Sequence, residues 1–439
     1  MVNRDEMHIL MLGQDEIREV LVHVQRNSLL AVSLTCRQFS ALVPSGSLLQ
    51  TDVLSVYVSS AKLSWAMLIG CTPMDRLAPR TARRVLRALR NMDRMALASH
   101  LDSMLCMMRY PNDEVAFDAA ETLGYLEAGS SRAVPDLLNM LGDSVWLVRA
   151  AALQAVGYLD GTVLVQLAFT VAEMMNDVDR HVRFMAVKVL GKMDRDVLAT
   201  HACSILKLFN DNDAFVRCAA VKSIGSLGRV ALSPHAVVIA GMLHDLDWRV
   251  RTWTMKTLGL LDPSVITSHA GAISCLLHDS KPVVRLTAIQ TLSLLGCTKL
   301  MPHCIAIVHL LDDPESKVRG MALSALGMLE PLVLAEYITA ILRMLGDAVC
   351  HVRASSLKTL CKLEPATLAQ HAMAVVNALE DPHPTVRCAA VVTLGNLEQA
   401  MLVRHVGIIV DMLDDSDRYV SAMARSLLRN VVPVSRALL

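Results

Sequence analysis

The sequence predicts an all-α protein: a right-handed α-solenoid of about ten helix hairpins behind a small helical N-terminal cap. Three observations predict it. The dipeptide Val-Arg returns every 34 residues without an indel, at Val148-Arg149, Val182-Arg183, Val216-Arg217, Val250-Arg251, Val284-Arg285, Val318-Arg319, Val352-Arg353 and Val386-Arg387. An Asp stands five residues before each anchor, from Asp143 through Asp177, Asp211, Asp245, Asp279, Asp313, Asp347 and Asp381 to Asp415, which precedes Val420. Aromatics make up only 4% of a chain with 25 Met and 53% hydrophobic residues, a poor composition for a β-sandwich or barrel.

Each 34-residue unit resolves into two helices. Val386, Ala390, Leu394 and Leu397 are spaced 4, 4 and 3 apart, the stripe of a second helix; Leu368, His371, Val375 and Leu379, spaced 3, 4 and 4, mark the first. The recurring Asp is expected to N-cap the second helix through its carboxylate. Pro314 and Pro382 are expected at its first position, where a missing N–H costs nothing. Prolines 263, 331 and 365 separate a second helix from the next unit's first. Gly124, Gly157, Gly191, Gly225, Gly259, Gly327 and Gly395 recur near the end of the second helix, with Ser293 and Cys361 as small substitutes. A helical glycine costs about 1 kcal/mol against Ala, so its recurrence predicts close backbone approach there. Two helices this short cannot bury their stripes alone, and stacking of units makes the core continuous.

The 439 residues carry 42 basic and 42 acidic side chains. A net charge of zero argues against a nucleic-acid or membrane-surface partner. The 11 Cys include no C-x-x-C pair and suggest a reducing compartment, cytoplasmic or nuclear. Arg4, Asp5 and Glu6 interrupt any signal peptide. No uncharged apolar run reaches the ~18–20 residues of a membrane span.

An Asp, a Val-Arg pair, an Ala and a Leu-Gly pair in fixed register resemble the short HEAT-like repeats of the armadillo-type superfamily, including those of bilin lyases. The string from Leu363 to Glu398 matches along its whole length, and the resemblance is strong from Pro111 to Arg429 and weaker over Thr81–Met92. Tetratricopeptide repeats share the period, but their W-x2-L-G-x2-Y signature is absent. The resemblance implies a protein-binding scaffold, with a bilin-lyase-type enzyme or chaperone as the alternative. Residues 61–110 then hold transitional helices with a degenerate repeat, and residues 111–432 the solenoid.

Residues 1–60 read differently. Val20, Leu21, Leu29 and Leu30 on helical stretches, then Cys36-Arg37-Gln38-Phe39, resemble an F-box. Leu12-Gly13 replaces its usual Leu-Pro opening, and Phe39 its usual Trp. The resemblance implies binding of a Skp-family linker of a cullin-type ubiquitin ligase. The same residues suit a cap that hides the end of the solenoid core.

No catalytic set, cofactor site or metal site is expected. His201, His235, His269, His303, His371 and His405 recur at the repeat period, with Tyr337 and Leu167 on two further rungs. Zinc–nitrogen bonds of about 2.0–2.1 Å cannot span rungs about 8–10 Å apart. No phosphate-binding glycine loop, H-E-x-x-H or G-x-S-x-G occurs. The more informative feature is the second helix's outer stripe. Two and six residues past the anchor Val stand Phe184, Lys188, Cys218, Lys222, Thr252, Lys256, Leu286, Gln290, Ala354, Lys358 and Cys388. Helical arithmetic of about 100° per residue places them opposite the core, on a concave groove. Phe184, Lys188, Lys222, Thr252, Trp253, Lys256 and Lys358 are the expected contacts for a protein partner, an acidic peptide or helix.

Overall fold

A computed structural model describes residues 79–90, 97–98, 100–126 and 132–431. The chain is an all-α solenoid, and no strand occurs among the described residues. The F-box-like residues Val20, Leu21, Leu29, Leu30, Cys36, Arg37 and Phe39 lie outside them. The chain divides between Leu227 and Gly228 into two compact units.

In the unit ending at Leu227 the second helices are α1 (Pro79–Arg90), α2 (Asp113–Gly124), α3 (Trp146–Val156), α4 (Arg180–Leu190) and α5 (Ala214–Ile224). Each packs on the one before it. In the unit starting at Gly228, α6 (Trp248–Leu258), α7 (Pro282–Ser293), α8 (Ser316–Leu326), α9 (Cys350–Leu360), α10 (Pro384–Leu394) and α11 (Arg418–Val431) pack in the same consecutive way. The anchor stripe forms the core: Val182, Ala186, Leu190, Val352 and Leu360 are fully enclosed. First helices are mostly broken in two. Arg195–Thr200 and Ala202–Lys207 meet at His201, and a 3₁₀ turn, Leu208–Asn210, leads into the extended Asp211.

The recurring Asp caps a turn, not the second helix. Asp177 Oδ1 accepts from the Asp179 N–H at 2.8 Å, and Asp211, Asp347 and Asp381 bond the N–H two residues on in the same way. The helix N-cap is the residue reached by that turn. Asp179 accepts from the His181 N–H, Asp213 from those of Phe215 and Val216, and His383 Nδ1 from that of Thr385. The extended backbone at the ladder Asp puts two more residues before the first helical one. Pro314 and Pro382 therefore fall in the turn, and the prolines that open second helices are Pro282 and Pro384.

Within each compact unit the anchor Arg ties one repeat to the next. Arg183 Nη1 donates to the carbonyls of Asp177 and Val178, while Nε and Nη2 donate to the two carboxylate oxygens of Asp211, at 2.6 and 2.9 Å. Arg149–Asp177, Arg251–Asp279, Arg285–Asp313, Arg319–Asp347, Arg353–Asp381 and Arg387–Asp415 are ion pairs in the same register. A planar fork on a carboxylate is the geometry that Arg, and not Lys, supplies. A second cross-unit link comes from hydroxyls seven residues past the anchor. Ser223 donates to Val187 O at 3.1 Å, Thr359 to Leu323 O at 2.9 Å and Thr393 to Leu357 O at 3.0 Å.

The helix-end glycines answer to side chains rather than to backbones. A Cβ on Gly124 would stand 2.6 Å from Tyr158 Cγ, and one on Gly157 would stand 3.0 Å from Val189 Cγ2. Gly259 and Gly395 face leucine methyls of the next unit, each at 3.2 Å. A left-handed backbone occurs instead at Gly228 (φ 82°) and Gly296 (φ 76°), just before a first helix. Among the described residues no helix is long and apolar enough to cross a membrane.

Candidate partner-binding face

In each compact unit the packed second helices leave a lengthwise strip uncovered. Six residues past the anchor, Lys188, Lys222, Lys256, Gln290, Ser324, Lys358 and Val392 are all exposed. Two residues past it the neighbouring helices close in. Phe184, Cys218, Leu286 and Cys388 are half-buried, and Thr252 and Ala354 are buried. Thr252 is thus removed from the expected contacts: its hydroxyl donates to Trp248 O at 2.8 Å inside the helix stack. Trp253 is half-buried, with the Lys256 ammonium 4.8 Å from its ring centroid. That contact holds the lysine stem along the helix and leaves the charge outward.

The strip continues one turn further than helical positions two and six suggest. Ten residues past the anchor stand the exposed Lys192, Leu260, Leu294, Met328, Lys362 and Asn396. A step of four residues advances about 40° around the helix, so these belong to the same face; the sequence signal was present in the same register. Lys192 lies 4.9 Å from the Tyr158 ring centroid, and burial, then the charge of Lys188, lowers its pKa.

A groove of about 610 Å³ opens on this face where α9, α10 and α11 meet. Its walls carry Lys358 from α9, Lys362 just past its end and Tyr419 from α11; Pro384, Cys388 and Val392 of α10 also line it. Burial raises the pKa of the Cys361 and Cys388 thiols, with the neighbouring lysines Lys362 and Lys358 partly opposing it. They are therefore protonated apolar surface near neutral pH.

The histidine ladder lies elsewhere. His201, His235, His303, Tyr337, His371 and His405 sit at the breaks of first helices, whereas His269 is inside the unbroken helix Pro263–Cys275. His201 is buried and meets Phe169 edge-on at 5.1 Å; burial lowers its pKa and that of His303. Among the described residues no group of three His, Cys, Asp or Glu could hold a metal.

Residues 133–159, 204–231 and 374–401 match the family model for the HEAT repeat. In these stretches the solenoid is made of HEAT repeats. No curated protein sequence matches the chain significantly. Among solved structures, importin beta crystallised with ammonium sulfate is similar, with a TM-score of 0.64 and 14% identity over 88% of this chain and 60% of that one. The Kap95:Nup1 complex gives 0.62 and 14%, covering 89% and 60%. Yeast importin-beta (Kap95p) gives 0.61 and 14%, covering 93% and 62%. The chain thus spans about 60% of the length of these structures. At such identities the likeness is one of fold.

Proposed function

We propose that the chain is a non-enzymatic scaffold for protein complexes, with the uncovered strip of its second helices holding an acidic peptide or helix. The observation that carries this reading is the row Lys188, Lys222, Lys256 and Lys358, all exposed at one register position, with half-buried Phe184 and Trp253 beside it. Cations over apolar anchors suit an acidic, partly apolar partner. A similar solenoid is crystallised as the Kap95:Nup1 complex. The test is affinity capture with the full chain, native and with Lys188, Lys256 and Lys358 changed to Glu. Acidic partners held by the native chain should be released; an unchanged partner set would sink the reading.

The F-box-like string Cys36-Arg37-Gln38-Phe39 supports a more specific adaptor role. In that reading residues 1–60 recruit a Skp-family linker of a cullin-type ligase, in the cytoplasm or nucleus, and the solenoid over 111–432 presents a client. Co-purification with such a linker, abolished by Leu30→Asp and Phe39→Asp, supports it. No co-purification with the native chain removes it and leaves the scaffold reading in place.

A further inference from the structure

We infer that the groove between α9, α10 and α11 is a docking site for an acidic peptide segment that carries an apolar side chain between its carboxylates. The inference rests on the second helices' strip being the binding face, and it fixes both place and ligand chemistry.

Shape comes first. Cys388 and Ala389 of α10 occupy the positions held by Phe184 and Met185 in α4, and their small side chains leave room above the helix. The resulting 610 Å³ falls within the roughly 300–1,000 Å³ of ligand pockets. The α10 surface is apolar: Val392 is 44% exposed, and the Cys388 thiol is held protonated by burial. An aliphatic or aromatic side chain would bury this surface.

Charge comes second. Lys358 and Lys362 rise on one wall. On the other stands Tyr419, with the Arg418 guanidinium 4.8 Å from its ring centroid and donating to its hydroxyl. None of the three cations has an ion-pair partner among the described residues. The one carboxylate lining the groove, Asp417, is turned to the α11 N-terminus, where it accepts from the N–H groups of Tyr419 and Val420. The groove is thus lined by two lysines against one carboxylate engaged by backbone N–H groups, with a third cation, Arg418, resting on its Tyr419 wall. Its exposed ring already carries Arg418, so it gives no bare platform for base stacking, and a peptide fits better than a nucleic acid.

The test uses the full chain and a fluorescein-labelled peptide of about ten residues in which Glu flanks a Leu-Phe pair. A matched peptide has Gln for every Glu, and a single-stranded oligonucleotide serves as competitor. The Glu peptide should bind at least about tenfold tighter than the Gln peptide. The double variant Lys358→Glu/Lys362→Glu, and separately Cys388→Trp, which fills the groove, should each weaken it about tenfold. The two lysines are exposed, so their exchange keeps the fold, as an unchanged melting curve would verify. Absence of Glu-peptide binding, binding that survives the double lysine exchange, or oligonucleotide affinity above that of the peptide overturns the proposal. Binding lost only on Lys188→Glu/Lys256→Glu removes this groove but keeps the strip as binding face. Insensitivity to both pairs removes both.

Discussion

The guanidinium of Arg285 closes on the carboxylate of Asp313 through two parallel hydrogen bonds, Nε at 2.6 Å and Nη2 at 2.7 Å, and both side chains are at most 10% exposed. The remaining Nη1 donates to Asp279 O at 2.7 Å, so one side chain joins the turns of two consecutive repeats.

Breaking that pair from one side strands the other charge in the stack. Arg285→Met or Asp313→Leu alone is expected to cost about 3 kcal/mol or more, and the double variant markedly less than the two costs summed. Thermal or urea unfolding of the three variants measures it. A purely additive double variant would refute the coupling.

The ladder also sets acid sensitivity. Burial alone would raise the pKa of Asp177, Asp211, Asp347 and Asp381. The Arg fork and the turn N–H outweigh it, and each pKa ends below the ordinary value. Asp415 is lowered chiefly by its bond to Arg387. A carboxylate depressed in the folded state stabilises fully above the unfolded value of about 4, and that stabilisation fades as pH falls through the folded value. Stability should therefore be insensitive to these carboxylates from pH 5 to 8 and fall steeply below about pH 4. Circular dichroism melts across that range report it.

Two helix-end glycines should respond in opposite directions to alanine. At Gly124 the new methyl meets the Tyr158 ring at 2.6 Å, whereas at Gly327 its nearest neighbour is 3.5 Å away, in ordinary contact. Gly124→Ala is expected to destabilise by about 1–3 kcal/mol, and Gly327→Ala to stabilise by about 0.5–1 kcal/mol. Paired melting curves decide it.

Thiol reactivity should follow burial. Desolvation pushes Cys304 up to about 11, while Cys203 and Cys275 are exposed. Iodoacetamide at pH 8 should label the latter pair at least about tenfold faster, and denaturant should abolish the difference. Mass spectrometry of the alkylated peptides reads both rates.

The repeat was legible because a 34-residue period fixes which residues share a position, and the Val182, Ala186, Leu190 stripe could only be a helix face. What that period could not supply was the partner of each polar group. Asp211 stands five residues before an anchor, which suits an N-cap, yet its carboxylate serves Arg183 and its own turn. Nothing in spacing alone separates those roles. Thr252 was misplaced because helical arithmetic treats a helix as isolated, while in the folded chain the position is buried and its hydroxyl is spent on Trp248 O. The groove at Cys388 was half legible. Lys358 and Cys388 were placed on the outer stripe, but Lys362 and Tyr419 join it only through the stacking of three helices.

Because donor and acceptor of the rungs from Arg251–Asp279 to Arg387–Asp415 lie 28 residues apart within a strict 34-residue period, modules of the unit starting at Gly228 are interchangeable. Excising residues 313–346 would set Asp347 where Asp313 stood, in phase to receive the fork of Arg285. Lineages of such a chain can gain or lose one cassette by unequal exchange without ever passing through an unpaired charge.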